Sequence, residues 1–456
     1  MANPDQAATT SLSAGTGQRL YEKARTLIPG GTHLFGKRQE NFAPGQWPTY
    51  YAEARGCEVT DLDGHKYIDM SMCGIGACVL GFADPDVTAA AVEALKKGVM
   101  CTLNPPKEVE LVELLLELHP WADQVRLGRM GGETAAIAVR IVRAATGRHK
   151  LAFCGYHGWH DWYLAANLPA HPDAASQDIL GQGHLLSGLD PAGVAPGLSG
   201  TMLPFKYNQI DQLEAIVAEH GNELAAVIME PMAGTPPEPG FLERVRELAH
   251  SCGARLVFDE ITIGWKLFLG GVHLKFGIEP DVAVYAKSTG NGHPIAAVVG
   301  KAATMEAAQD TFISSTMWTE AVGPAAAVAT IEKMKRIDVP SHIDRIGRIT
   351  REGLAPLVAK HGVPLKFKGP PALTVYAFDH PQAAALQTLW TVRMLERGYL
   401  VSGVFFSMLA HEPHHVESFV EACDPVFAEM GRALRDGNVE KRIGGPVKHT
   451  GFGRLT

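Results

Sequence analysis

Two spacings of apolar and polar residues alternate along the chain. Helical spacing, with apolar positions three and four apart, marks "RLYEKARTLIP" (19–29), which Pro29 stops. It returns in "DPDVTAAAVEALKKG" (84–98), "KEVELVELLLELHP" (107–120), "ETAAIAVRIVRAATGR" (133–148), "LEAIVAEHG" (213–221) and "GFLERVRELAHSCG" (240–253). Gly98 and Pro120 close the first two of these, and Gly147 stands at the C-cap of the third. Between them lie short runs that are apolar almost throughout: "KLAFCG" (150–155), "LAAVIMEP" (224–231), "RLVFDE" (255–260) and "PDVAVYAK" (280–287). Strands of that kind, separated by helices, predict a parallel sheet covered on both faces. "GCEVTDLDGHKYIDM" (56–70) alternates instead, and its Asp63-Gly64 pair predicts a hairpin turn.

The pattern changes after about residue 310. An Ala-rich helix is expected over 320–337 and another helical stretch over 338–362. "ALTVYAFDH" (372–380) and "GYLVSG" (398–403) read as strands, and 414–437 as a closing helix. The expected division is a loose tail (1–17), an N-terminal segment (18–75) joining a smaller α+β domain, a large α/β domain (76–325), and the rest of the small domain (326–456).

Composition narrows the function. With 46% apolar and 20% charged residues, the chain is ordinary globular protein. A net charge of −8 argues against a nucleic-acid or anionic-lipid surface. No apolar stretch approaches a membrane span, and the small polar N-terminus carries no secretory signal pattern. The seven cysteines are scattered, with no CxxC pair, which suits reduced thiols and a cytoplasmic setting.

In open parallel sheets, ligands bind beyond the carboxyl ends of the strands. There the chain delivers Glu230, Asp259, Glu260, Lys287 and the group Gly155, Tyr156, His157, Gly158. Taken singly these are bland. Asp259 would cap a helix, Lys287 would be a surface lysine, Tyr156 a core residue, and "MGGET" (130–134) a tight turn. Together they describe a site. A lysine in apolar surroundings loses charge and becomes a nucleophile toward a carbonyl. A buried carboxylate needs a cationic partner, and a protonated pyridine nitrogen is one. Pyridoxal 5'-phosphate (PLP) would bond Lys287 through its aldehyde and face Asp259 with its ring nitrogen. Gly131 and Gly132 at a helix start would take its phosphate. The small residues after Lys287, "STGNG", leave room for a flat ring.

These segments, in this order, resemble class III PLP-dependent aminotransferases of fold type I. The likeness is greatest to glutamate-1-semialdehyde 2,1-aminomutases and their transaminase relatives. "YEKARTLIPGGT", the 56–70 hairpin, "RIVRAATGR", "GYHGW", "VFDEITIGWK" and "DVAVYAKSTGNGHPIAAVVGK" carry the resemblance from about residue 18 to 435. It implies a mostly parallel seven-stranded sheet in the large domain. It also implies a homodimer with shared active sites, and a small-molecule amino donor and carbonyl acceptor. Lys287 would be the Schiff-base lysine and proton shuttle, Asp259 the pyridinium partner, and Tyr156 the ring that stacks on the cofactor. His157 belongs to the same motif. Met130, Gly131 and Gly132 would cradle the phosphate, Glu230 and Glu260 would be supporting polar residues, and Ser315 and Thr316 would reach the partner's cofactor phosphate.

The chain departs from the family in places. Arg129-Met130-Gly131-Gly132 stands where relatives have Asn-Ser-Gly-Thr, so two phosphate-binding hydroxyls are missing. Backbone donors must do more, or Ser315 or Thr316 compensates. Trp318 adds bulk to the 315–324 segment. His293 reads equally as a loop residue or a substrate contact, and Trp159 and Trp162 as core or as an acceptor pocket. Lys37 and Arg38 follow the PGG turn, where relatives often read a carboxylate, though a solvated pair is the plainer reading. His411, His414 and His415 are read as a helix start at Pro413, and no metal site is expected. The expected reaction is transamination, with an intramolecular aminomutase as runner-up. A noncovalent nucleotide-binding protein would need a GxGxxG turn after the first strand, and there is none.

Overall fold

A computed structural model describes residues 15–168, 189–232 and 234–451. Residues 1–14 of the expected tail lie outside the described residues. The first helix begins at Thr16, earlier than its apolar spacing suggests. Asp63, in the turn of the distant hairpin, is the reason: its carboxylate accepts from the Thr16 amide at 2.8 Å and from the Thr16 hydroxyl.

Three strands precede the main sheet: β1 (Tyr51–Arg55), β2 (Glu58–Asp61) and β3 (Lys66–Met70). The predicted hairpin is the antiparallel pair β2–β3, and β1 extends it. Asp61 shapes its turn, accepting from the amides of Asp63 and His65, both at 2.9 Å.

The central sheet contains β4 (Gln124–Gly128), β5 (Lys150–Cys154), β6 (Met202–Pro204), β7 (Leu224–Met229), β8 (Arg255–Asp259), β9 (Val282–Tyr285) and β10 (Ala296–Gly300). Their order is β4-β10-β9-β8-β7-β5-β6. Only β10 runs against its neighbours. Eight residues and no full crossover helix separate its Ala296 from Lys287, and so short a connection returns a strand antiparallel. β4 and β6 escape the apolar-run pattern. β4 carries Gln124 and Arg126, and β6 is three residues long.

Both sheet faces are buried, and β9 and β10 show it by alternation. Val282, Val284 and Val298 pack under the helix Gly131–Thr146. Ala283, Tyr285, Ala297 and Val299 face the helix Val322–Arg336, through Ala326, Ala327 and Ile331. The alanines let that helix lie close, and a larger side chain there would over-pack the layer by about 1–3 kcal/mol.

The C-terminal part forms a second core. β11 (Leu365–Lys368), β12 (Leu373–Phe378) and β14 (Val404–Phe406) make an antiparallel sheet. Helices Val339–His361, Ala383–Leu395 and Pro413–Arg435 pack on it around the fully buried Trp390. The strand expected at 398–403 is shorter than that and ends at Val401. This strand, β13 (Tyr399–Val401), pairs in parallel with β3, so residues from both ends of the chain share a four-stranded sheet. Among the described residues no helix is long and apolar enough to cross a membrane.

Candidate active site

The carboxyl ends of β4, β5, β8 and β9 surround a cavity of about 350 Å³, lined among others by Gly131, Gly132, Tyr156, Asp259, Thr262 and Lys287. Lys287 opens a 3-10 turn (Lys287–Gly290) directly after β9. Its φ is +43°, a left-handed backbone that costs a non-glycine residue roughly 1–3 kcal/mol. The surrounding bonds enforce it. Thr289 donates to Ala286 O from its amide (3.0 Å) and its hydroxyl (2.8 Å), and Ser288 Oγ donates to Gly76 O at 3.0 Å. Asn291 ties the loop to Leu80 and Gly81. Lys287 Nζ donates to Thr262 Oγ1 at 2.9 Å. Burial pushes its ammonium below the ordinary lysine range, against the pull of Asp259 and Glu230.

Asp259, the last residue of β8, is 3% exposed. Its Oδ1 accepts from the Ile261 amide at 3.0 Å, and its Oδ2 meets His157 Nδ1 at 2.7 Å. The other ring nitrogen of His157 lies 3.1 Å from Cys154 O, so both nitrogens face oxygen acceptors and the ring is fixed. Tyr156 is 45% exposed, with its ring edge-on to Tyr163. Glu230 sits behind Gly155, where a β-carbon would come within 3.2 Å of its Oε2. Burial first, then the charge of Asp259, pushes its carboxyl up to about 7.

The helix at Gly131 supplies the anion site. First-turn amides have no partner within a helix. The Glu133 carboxylate takes the amides of Arg129 (2.7 Å) and Met130 (3.3 Å), and those of Gly131 and Gly132 have no protein acceptor among the described residues. Both glycines lie close against neighbouring side chains. A β-carbon at 131 would lie 2.9 Å from Ile261 Cγ2, and one at 132 would lie 2.8 Å from His160 Cε1. Met130 is 58% exposed at the rim. Arg129 takes no hydroxyl's place: its guanidinium donates to Gly128 O, Trp318 O and Glu320 O and so pins the segment before the Ala-rich helix. Ser315 and Thr316 are exposed on that segment, outside the cavity wall.

A flat, anionic, cation-bearing ring fits this site. Free amides meet a phosphate, a buried carboxylate meets a ring nitrogen, a desolvated lysine amine meets an aldehyde, and Tyr156 offers a ring face. The comparisons with known proteins agree. Residues 42–421 match the family model for class III aminotransferases. The chain belongs to the class III aminotransferases. It is a PLP-dependent aminotransferase of fold type I. It is 33% identical over 381 residues to 3-aminobutyryl-CoA aminotransferase of Cloacimonas acidaminovorans, covering 82% of this chain and 86% of that one. It is 30% identical to glutamate-1-semialdehyde 2,1-aminomutase of Thermomicrobium roseum, with coverage of 91% and 98%. The solved FumI protein of Sphingopyxis sp. MTA144, in its PLP internal aldimine form, superposes with a TM-score of 0.81 at 26% identity, covering 92% and 98%.

The aminotransferase cavity gathers most of the strand-end residues read from the sequence, and places others elsewhere. His293 and Trp159 line it, whereas Trp162 is core. Arg38 is buried against the Phe35 ring. Lys37 lines a neighbouring cavity of about 360 Å³ that shares Ala77 and Gly292 with the first. Glu260 turns away to His273. The histidine cluster resolves as a helix starting at Pro413. Its His411 is sealed between Met408 N and Asp69 O. Ile261 and Thr262 are wall residues that sequence reasoning missed. Their one signal is closeness to Asp259, in a segment without apolar periodicity.

Proposed function

We propose that this cavity moves an amino group from an amino-acid donor to a keto or aldehyde acceptor, with Lys287 as its covalent anchor and proton carrier. PLP, when bound, supplies the electron sink for the pair released at the substrate's Cα. Lys287 would hold its aldehyde, and the free amine, released when substrate takes that place, would accept the Cα proton at Nζ and return it two atoms along, beyond the substrate nitrogen. Desolvation favours the uncharged amine this requires. Asp259, oriented by His157 and the Ile261 amide, would hold the ring nitrogen charged. Gly131 and Gly132 amides would take the phosphate, with Met130 at its rim, and Tyr156 would cover one ring face. Glu230 would be a supporting polar group beneath.

Two half-reactions at one site imply ping-pong kinetics. Ser315 and Thr316, exposed in one protomer, suit the role of reaching a partner's phosphate across a homodimer. The free thiols fit a cytoplasmic enzyme. One observation carries the reading: Lys287 and Asp259 open on one cavity beside a helix start whose amides lack acceptors. Hydride reduction of the loaded enzyme followed by peptide mapping should mark Lys287, and Lys287→Ala should not transaminate. A mark elsewhere, or turnover by that variant, sinks the reading. The likeness to aminomutases over 91% of the chain supports a second reading, an intramolecular amino shift on glutamate-1-semialdehyde. Formation of 5-aminolevulinate from that compound alone would favour it.

A further inference from the structure

Two buried lysines converge on one threonine. Thr262 Oγ1 accepts from Lys287 Nζ at 2.9 Å, while Thr262 O accepts from Lys266 Nζ at 2.6 Å. Lys266 is 2% exposed, and among the described residues no carboxylate lies within ion-pair distance of it. Burying a lysine without an acid partner is unfavourable, so its one hydrogen bond needs a reason. The lysine is fitted closely: a β-carbon at Gly76 would lie 3.2 Å from its Cε, and Gly76 O also takes the Ser288 hydroxyl next to Lys287.

The turn carrying Thr262 is fixed from other sides too. Gly264 N donates to Glu260 O at 2.8 Å, and a β-carbon at 264 would meet that same oxygen. Trp265, left-handed at φ +70°, donates through Nε1 to Thr289 Oγ1 at 2.9 Å, two residues beyond Lys287. Thr262 is therefore rigid, faces the cavity, and touches the amine that the reaction needs free.

We propose that Thr262 is a positioning residue that aims the Lys287 amine at the substrate's Cα proton, and that Lys266 holds Thr262 in place through its carbonyl. The inference rests on Lys287 being the proton carrier. A lysine amine on a flexible stem is otherwise free to leave the reacting line, and the hydroxyl restricts it. Lys287 also disfavours charge on its neighbour: burial pushes Lys266 well below its ordinary range, and Lys287 adds to that. That leaves Lys287 able to take up a proton.

Thr262→Val keeps the shape and removes the hydroxyl. On the PLP-loaded enzyme, kcat should fall roughly ten- to a hundredfold while KM for the donor stays within about twofold. The isotope effect with a Cα-deuterated donor should rise. Without substrate, the pH midpoint of the cofactor's visible band should move. Thr262→Ser should restore all three readouts. Lys266→Met, which offers no donor, should show the same isotope signature, and Lys266→Arg should soften it. A wild-type isotope effect and midpoint in Thr262→Val, or an equal loss in Thr262→Ser, overturns the role of Thr262. Wild-type behaviour of Lys266→Met overturns the role of Lys266. Lys287→Ala runs beside them: if it transaminates, the reading of Lys287 itself fails. If it is silent while Thr262→Val is unaffected, only the present inference fails.

Discussion

Asp259 and Glu260 are neighbours in the chain, both buried, and each meets the Nδ1 of a histidine, at 2.7 Å and 2.8 Å. They face opposite sides of the sheet. Asp259 opens on the cavity with Lys287 and Tyr156. Glu260 points away from that cavity. Its Oε1 also accepts from the His273 amide, and among the described residues its Oε2 has no partner. His273 accepts from Trp121 Nε1 at 3.1 Å and stacks on His119, which meets the Tyr285 hydroxyl at 2.9 Å. The same acid–histidine pair thus serves once beside a space for a ligand and once as an internal strut. The pair does not define the site; the open space beside one of its members does.

The hardest test of that contrast removes each charge without changing shape. Asp259→Asn should lower kcat by roughly 10²–10³-fold, the scale of losing one preorganised electrostatic group in a closed site. Its melting temperature should change little. Glu260→Gln should keep kcat within about twofold and lose roughly 2 kcal/mol in a urea titration, because a buried acceptor of His273 is weakened. Comparable turnover losses in both variants would break the comparison.

Much of this was legible because β7, β8 and β9 are buried on both faces. Their apolar runs are continuous, so the first polar residue after each run marks a strand end, and Glu230, Asp259 and Lys287 are those residues. The faces beyond the strand ends were not legible. Sequence places Glu260 with Asp259, whereas the pleat sends them apart. The contacts of Thr262 depend on the left-handed backbone at Trp265, and aromatic residues rarely take that conformation. Arg129 reads as part of a phosphate loop, but its partners are carbonyls of Trp318 and Glu320, about 190 positions away. The parallel pairing of β13 likewise depends on β3, from the other end of the chain.

The two histidines give a smaller version of the same test. Among the described residues, His157→Phe leaves Asp259 with the Ile261 amide alone. Loss of an orienting partner of this kind costs about 10- to 100-fold in turnover or ligand affinity. Titration of the stripped enzyme with PLP would read the affinity directly. His273→Phe should leave PLP affinity unchanged and appear only as lost stability, roughly 2 kcal/mol. A weakened PLP affinity in His273→Phe would mean that the strut and the site are coupled through β8.

A third buried carboxyl sharpens the contrast by pH. Burial and the charge of Asp259 push Glu230 up to about 7 from an ordinary 4.5. The native chain then keeps a proton that the unfolded chain releases as pH rises past 4.5. The stabilisation is complete below that point and is lost as pH rises toward 7. Glu230→Gln cannot titrate. Measured on cofactor-free protein, its melting temperature should therefore gain on that of the parent between pH 4.5 and 7, and hold a constant lead above. Parallel curves across that window would show that Glu230 keeps an ordinary acidity.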